Sequence, residues 1–298
     1  MEDISIMYHY VRAKDWKGIN PLEPERFAEQ IDILHKSYEI VSPEDLQKPV
    51  GLKPRCVLSF DDGTKDQYTN AFQIMKSKGV PGYFTVMSGP LKEGVIPVFH
   101  LVHILLSNHS DEEVWEDLNK LYDLKEVPKL SGIYNYEQNI YRRYNKYALN
   151  FFLTESQSKN YLTDKALKIF GSSENLIDQY YVNKEEFMEM KNQGMTIGVH
   201  SCNHNSFFGD GEEFYKLEIE PCAKFLKSEM NITPNWYTPA FGGGNNYKEM
   251  FRALEPILKE NGYKGAFATT PGKNKGLSNF WLNRYDCINV PPFKPIGD

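Results

Sequence analysis

The sequence predicts an α/β protein of the parallel-barrel kind. Along its 298 residues, apolar runs of strand length alternate with amphipathic helical stretches. The residues able to do chemistry stand where those strands end, the edge at which parallel α/β proteins bind ligands. Ile4–Tyr8 reads as the first strand, followed by a helix over Glu23–Ser37. Cys56–Phe60 is short and apolar, as a buried parallel strand is. Gly63 and Thr64 then turn the chain into a helix over Asp66–Lys78, which Gly79 stops. Pro81–Met87 is the next strand. Between Ser88 and His200 the pattern is helical, with apolar residues at three and four spacing in Val98–Ser107, Asp111–Lys125, Glu137–Phe152, Glu155–Phe170 and Lys184–Gln193. That stretch is too long for a simple crossover, so a single domain over 1–298 with a helical insertion at 89–187 is expected. Thr196–Val199 resumes the strands, and Trp236–Gly243 is a further strand-end element. Helices over Asp210–Lys227 and Tyr247–Asn261 and strands over Ala266–Thr269 and Phe280–Tyr285 complete the alternation.

Composition narrows the function classes. A chain that is 41% hydrophobic and 14% aromatic can bury a sizeable core. The formal charge is −6, with Lys and Arg scattered among Asp and Glu, so no basic stripe suits nucleic acid or an anionic membrane. Cys56, Cys202, Cys222 and Cys287 are widely spaced with no C-x-x-C pair, which reads as reduced thiols of a cytoplasmic protein. No basic segment followed by an apolar run opens the sequence and no run has membrane-spanning length, so the expectation is neither secretion nor insertion. Tyr134, Tyr136, Tyr141, Tyr144 and Tyr147 make the insertion aromatic, which suits either helix packing or sugar stacking.

Two segments carry the chemistry. Ser59-Phe60-Asp61-Asp62-Gly63 places two adjacent carboxylates at a strand end, where one can hold a metal while the other stays free as a base. His200-Ser201-Cys202-Asn203-His204 follows another strand, and a helical turn there would bring both imidazoles to one side. Asp62, His200 and His204 together are ordinary ligands for zinc or for a similar divalent ion such as cobalt, nickel or manganese, with positions left for water and substrate. Taken singly, Asp-Asp-Gly also suits a hydrogen-bonded turn, and the histidine pair also suits a surface or core location. The pairing of the two behind apolar strands points to metal-assisted hydrolysis.

These residues resemble the polysaccharide deacetylases with the NodB homology domain, carbohydrate esterase family 4. Ser59–Gly63 resembles the first family motif, [TS]-F-D-D-G, and His200–His204 the second, H-[ST]-x-x-H. Thr238-Pro239-Ala240-Phe241-Gly242 is similar to a variant of the third, and Tyr8-His9-Tyr10-Val11 to the Y-H-x-[VI] opening of a branch that includes deacetylases of exported poly-N-acetylglucosamine. The resemblance implies a distorted (β/α)7 TIM-like barrel, a bacterial source, Asp61 as general base, and Asp62, His200 and His204 on one metal ion. It also implies that Phe241 lends a backbone N–H to the oxyanion. Two departures stand out: Thr238 occupies the place of an arginine that orients the base, and no histidine follows His204 to serve as general acid. Arg284 is the candidate replacement for the first, with an ion pair to Asp286 as the alternative. His9, at the end of the first strand, is the candidate acid, with a satisfied core histidine or a protonated Asp61 as the alternatives. The function expected is removal of N-acetyl groups from an amino sugar in a surface polysaccharide or its precursor. An O-acetyl esterase, or a sugar-binding protein that has lost catalysis, remains open.

Overall fold

The computed structural model describes residues 2–48, 51–276 and 278–296. They form two compact units, one of Met1–Arg12, Pro21–Val95 and Tyr180–Asp298, the other of Ala13–Asn20 and Ile96–Gln179.

The first unit is a curled parallel sheet with helices, a half-barrel of the distorted TIM-like kind. Its strands are β1 (Ile4–Tyr8), β2 (Glu39–Ile40), β3 (Arg55–Phe60), β4 (Tyr83–Met87), β5 (Thr196–Ser201), β6 (Trp236–Tyr237), β7 (Gly265–Ala266) and β8 (Tyr285–Asp286). They pair in the order β7-β6-β5-β4-β3-β1-β8, and the short β2 adds to β3. Among the described residues every strand pair is parallel, and the path bends far enough for Phe267 and Leu282 to bridge its ends, with Ala268 N–H donating to Leu282 and Arg284 N–H to Thr270.

Strand parity aims the side chains. Successive residues face opposite sides of a sheet. Cys56, Leu58 and Phe60 of β3 join the main core with Phe27 of the Pro24–Ser37 helix, while Val57 joins a separate cluster with Tyr83, Trp236 and Phe267. Ser59 and Asp61 continue the Val57 side. Tyr8, Phe60 and Phe84 stack across three strands, with centroids 4.9 and 4.4 Å apart, and truncating such a buried ring costs about 3–5 kcal/mol. The same parity on β5 sends Ile197 and Val199 to the main core, leaving Gly198 and His200 for the other side. A Cβ on Gly198 would lie 2.6 Å from the Tyr83 hydroxyl, so the ring fills the room that glycine leaves.

Several elements differ from expectation, for local reasons. The 66–78 helix is π-wound over Gln67–Phe72 before becoming α-helical at Gln73–Lys78, and Gly79 caps it with φ of +64°. The strand expected over Pro81–Met87 begins as β4 at Tyr83, past Pro81, which has no N–H to give a ladder. Ala266–Thr269 and Phe280–Tyr285 shrink to β7 and β8, joined between by isolated bonds. The four cysteines are free thiols.

The second unit is helical, with helices at Val98–Asn108, Asp111–Leu121, Ile140–Tyr147 and Glu155–Phe170. Asp111–Leu121 and Glu155–Phe170 each open on a reciprocal cap, Ser110 with Glu113 and Thr154 with Gln157, which satisfies N–H groups that the helix itself cannot. None of its five singled-out tyrosines is buried, and Tyr136 is 67% exposed. Among the described residues, no helix is long and apolar enough to cross a membrane.

Candidate active site

The site is built at the carboxyl ends of β1, β3, β5 and β6, with Arg284 reaching in from the position just before β8. Asp61 continues β3 by donating its N–H to Tyr8 at 3.0 Å. Asp62 then turns into the left-handed region with φ of +75°, and Gly63 follows at +66°. This reversal points the two neighbouring carboxylates apart, which their identical chemistry alone could not do. Asp61 faces Arg284, whose Nη1 and Nη2 donate to Oδ1 at 2.7 Å and Oδ2 at 2.9 Å. The guanidinium also donates through Nε to Ala268 at 2.7 Å and through Nη1 to Ser59 Oγ at 3.2 Å, and it is wholly buried. Burial by itself would push the Asp61 carboxyl up, but Arg284 foremost, then His200, outweigh it and hold it below the usual carboxylate range.

Asp62 faces the histidines. Its Oδ1 lies 3.1 Å from His200 Nε2 and 3.3 Å from His204 Nε2. His200 is the penultimate residue of β5, and its Nδ1 meets the Thr238 carbonyl at 2.9 Å. A carbonyl only accepts, so Nδ1 carries the hydrogen and Nε2 presents its lone pair toward Asp62 unless it is protonated. Burial would lower the His200 pKa, yet Asp62 outweighs it and the net direction is upward. One donor atom from each of Asp62, His200 and His204 lies within 4.8 Å of the others, and all three residues are buried. Converging lone pairs with a fixed tautomer fit a divalent cation, and this group is able to hold one.

The expected helical turn between the histidines is absent, which corrects the sequence reading. His204 lies in a loop with φ of +61°, closed by its own N–H on Ser201 Oγ at 2.8 Å. The serine side chain takes the N–H that a helix would have turned to a carbonyl. Phe241 follows β6, also with positive φ, +51°; the residue is 53% exposed, and its ring meets that of His204 edge-on with centroids 4.3 Å apart. Asp62, His204 and Phe241 are thus three of the five non-glycine residues with positive φ among those described. Such backbone persists only where the surroundings over-determine it, and it gathers at functional sites.

His9 follows β1, partly buried, with its carbonyl accepting from Gln67 Nε2 at 2.9 Å and from Thr64 Oγ1 at 3.4 Å. An imidazolium there lies near enough to Asp61 to favour its ionised form. Gln67, which the sequence reading missed, is fully buried and also donates to the Asp61 carbonyl, tying the ends of β1 and β3 together. Tyr10 and Tyr180 share a 2.7 Å hydroxyl contact nearby; burial, then the charge of Asp62, pushes the Tyr10 phenol up and keeps it neutral. Gln67 and Tyr180 belong to no motif and Tyr10 holds only the variable position of one, so their burial in the fold is the signal that finds them.

Comparison with known proteins places this geometry. Residues 135–266, somewhat under half of the chain, match the family model described as polysaccharide deacetylase. The resemblance to the polysaccharide deacetylases is borne out. The matched stretch contains His200, His204 and Phe241, whereas Asp61, Asp62 and Arg284 lie outside it and join it through the fold. No curated protein matches in sequence. Among solved structures, the chain is similar to the Streptococcus pyogenes deacetylase PplD in complex with acetate, with a TM-score of 0.60 and 15% identity over 99% of this chain and 95% of that one. IcaB from Ammonifex degensii gives 0.57 and 14% over 98% and 92%. The de-N-acetylase from Aggregatibacter actinomycetemcomitans gives 0.53 and 15% over 95% and 94%. At these identities the likeness shows the polysaccharide deacetylase fold.

Proposed function

We propose that this protein is a metal-dependent hydrolase that removes N-acetyl groups from an amino sugar in a surface polysaccharide or its biosynthetic precursor. The family match supports a hydrolase acting on the acetyl groups of carbohydrate, and the Aggregatibacter structure is by its title a de-N-acetylase. The observation that carries the reading is the division of labour between neighbours: Arg284 grips Asp61 at 2.7 and 2.9 Å while Asp62 faces both imidazoles. A binding module has no use for a second carboxylate kept apart from the ligand set.

Asp62, His200 and His204 would hold the divalent ion, zinc in the first instance. When bound, such an ion polarises the acetyl carbonyl and makes a water acidic near neutral pH, worth several kcal/mol of barrier. Asp61 takes the proton from the attacking water; each of its oxygens keeps a lone pair beyond the one that Arg284 occupies. The Phe241 N–H donates to the developing oxyanion, a contact type whose loss typically costs roughly 2.7–4 kcal/mol. His9 gives a proton to the departing nitrogen as the C–N bond breaks, leaving acetate and the free amine of the sugar.

The test is acetate release from N-acetylated and O-acetylated model sugars, with and without a chelator. Release from the N-acetyl sugar that stops on chelation and returns with zinc is the expected result. Release from the O-acetyl sugar alone would make the protein an esterase, and no release from either with metal present would overturn the reading.

A further inference from the structure

Glu218 is a fully buried carboxylate that the mechanism above does not use. It lies in the π-wound segment Tyr215–Ile219, and all its recorded hydrogen bonds go to the loop that carries His204. Oε2 accepts the backbone N–H of Asn203 at 2.9 Å and that of Asn205 at 3.4 Å; Oε1 accepts the Asn205 side-chain amide at 2.7 Å. The backbone is therefore gripped immediately before and immediately after the histidine. Chain leaving a strand and reversing direction turns its N–H groups away from the ladder, and once buried they need acceptors. An ionised carboxylate offers about four acceptor sites and no donor, so it can take three such hydrogens at once where an amide side chain could not. The far side of the loop is closed as well: Gly89 N–H donates to the Cys202 carbonyl at 2.9 Å, and a Cβ on Gly89 would come within 2.6 Å of that oxygen. Burying an ionisable group is costly unless its hydrogen bonds are met, so Glu218 is not a residue that packing alone selects.

We infer that Glu218 is a positioning residue for metal binding: by clamping the backbone on both sides of His204 it aims that imidazole at Asp62, so affinity for the divalent ion depends on it. The inference rests on the metal-dependent reading above. Partners of this outer kind typically change metal affinity by about 10–100-fold when removed.

The full chain, stripped with chelator, is titrated with zinc against a chromophoric competitor and with cobalt(II) followed by its visible absorption. Glu218→Gln keeps the size of the side chain but turns an amide donor toward N–H groups. It should weaken zinc binding about 10–100-fold and change the cobalt band, with turnover restored at saturating metal. Asn205→Ala, at an exposed position, removes only the Oε1 contact and should give a smaller loss in the same direction; it decides the matter if the first variant does not fold. Wild-type zinc affinity in either variant, with only the melting temperature of the metal-free form lowered, would make the clamp purely structural and overturn the inference. Failure of the unaltered protein to bind zinc or cobalt would instead remove the metal reading itself, and the inference with it.

Discussion

Arg284 meets Asp61 through a two-point fork, 2.7 and 2.9 Å long, across 223 residues of sequence. Both side chains are essentially out of water, so the pair cannot be dissolved from one side without stranding a charge. Arg284→Met should therefore cost about 3–5 kcal/mol of stability in denaturant unfolding, and adding Asp61→Asn should recover part of it. Zinc affinity should hold or rise in Arg284→Met, since a positive charge has left the neighbourhood, while kcat falls. A loss of zinc binding as large as the loss of kcat would merge two roles that the geometry keeps separate.

Asp61→Asn and His204→Ala divide base from ligand. The first should lower turnover roughly 10²–10⁴-fold with zinc still bound, measured by metal content after gel filtration. The second should lose metal and activity together.

Chelation has a thermal signature. An ion that binds only the folded chain adds about 2.7 kcal/mol at a free concentration 100 times its Kd, so adding chelator should lower the melting temperature and zinc should restore it. The same scan on His204→Ala should show almost no difference between the two conditions.

His9→Phe tests proton donation to the leaving group. Turnover of an N-acetyl sugar should drop far more than turnover of an activated acetyl ester, whose leaving oxygen needs little help. An unchanged ratio of the two rates would take His9 out of the mechanism.

Gly63→Ala probes the reversal behind Asp62. Its φ is +66°, and an added Cβ would lie 3.1 Å from the Phe187 ring and 3.2 Å from the Thr85 carbonyl. A loss of about 1–3 kcal/mol of stability is expected, together with weaker zinc binding, because the neighbouring ligand shares the displaced backbone.

Much of this was legible in the sequence wherever local pattern decides structure. Ile4–Tyr8 and Glu155–Phe170 have the bounds that periodicity assigns them. Asp61, Asp62, His200 and His204 could be singled out as candidates because their chemistry sits in short contiguous motifs, and the fold brings them together. The conformation between the histidines could not be read, because Ser201 and Glu218 set it, one from within the loop and one from 14 residues beyond His204 in another element. Gln67 and Glu218 stayed hidden for the same reason: they act on backbone carbonyls and N–H groups, and no spacing records which backbone a side chain will reach. β7 and β8 were overextended because apolar content continues past the point where regular pairing stops.

The fork also sets a clock on biosynthesis. Asp61 leaves the ribosome 223 residues before its counter-charge, roughly 11–45 s at 5–20 residues per second. Throughout that interval the nascent chain holds an acidic group whose burial is not yet compensated, and β1 waits with one edge open until β8 arrives to pair with it. The Asp61–Arg284 pair consequently cannot close before residue 284 has been made, and termination anywhere upstream of it yields a polypeptide that chaperones and proteases are first to engage.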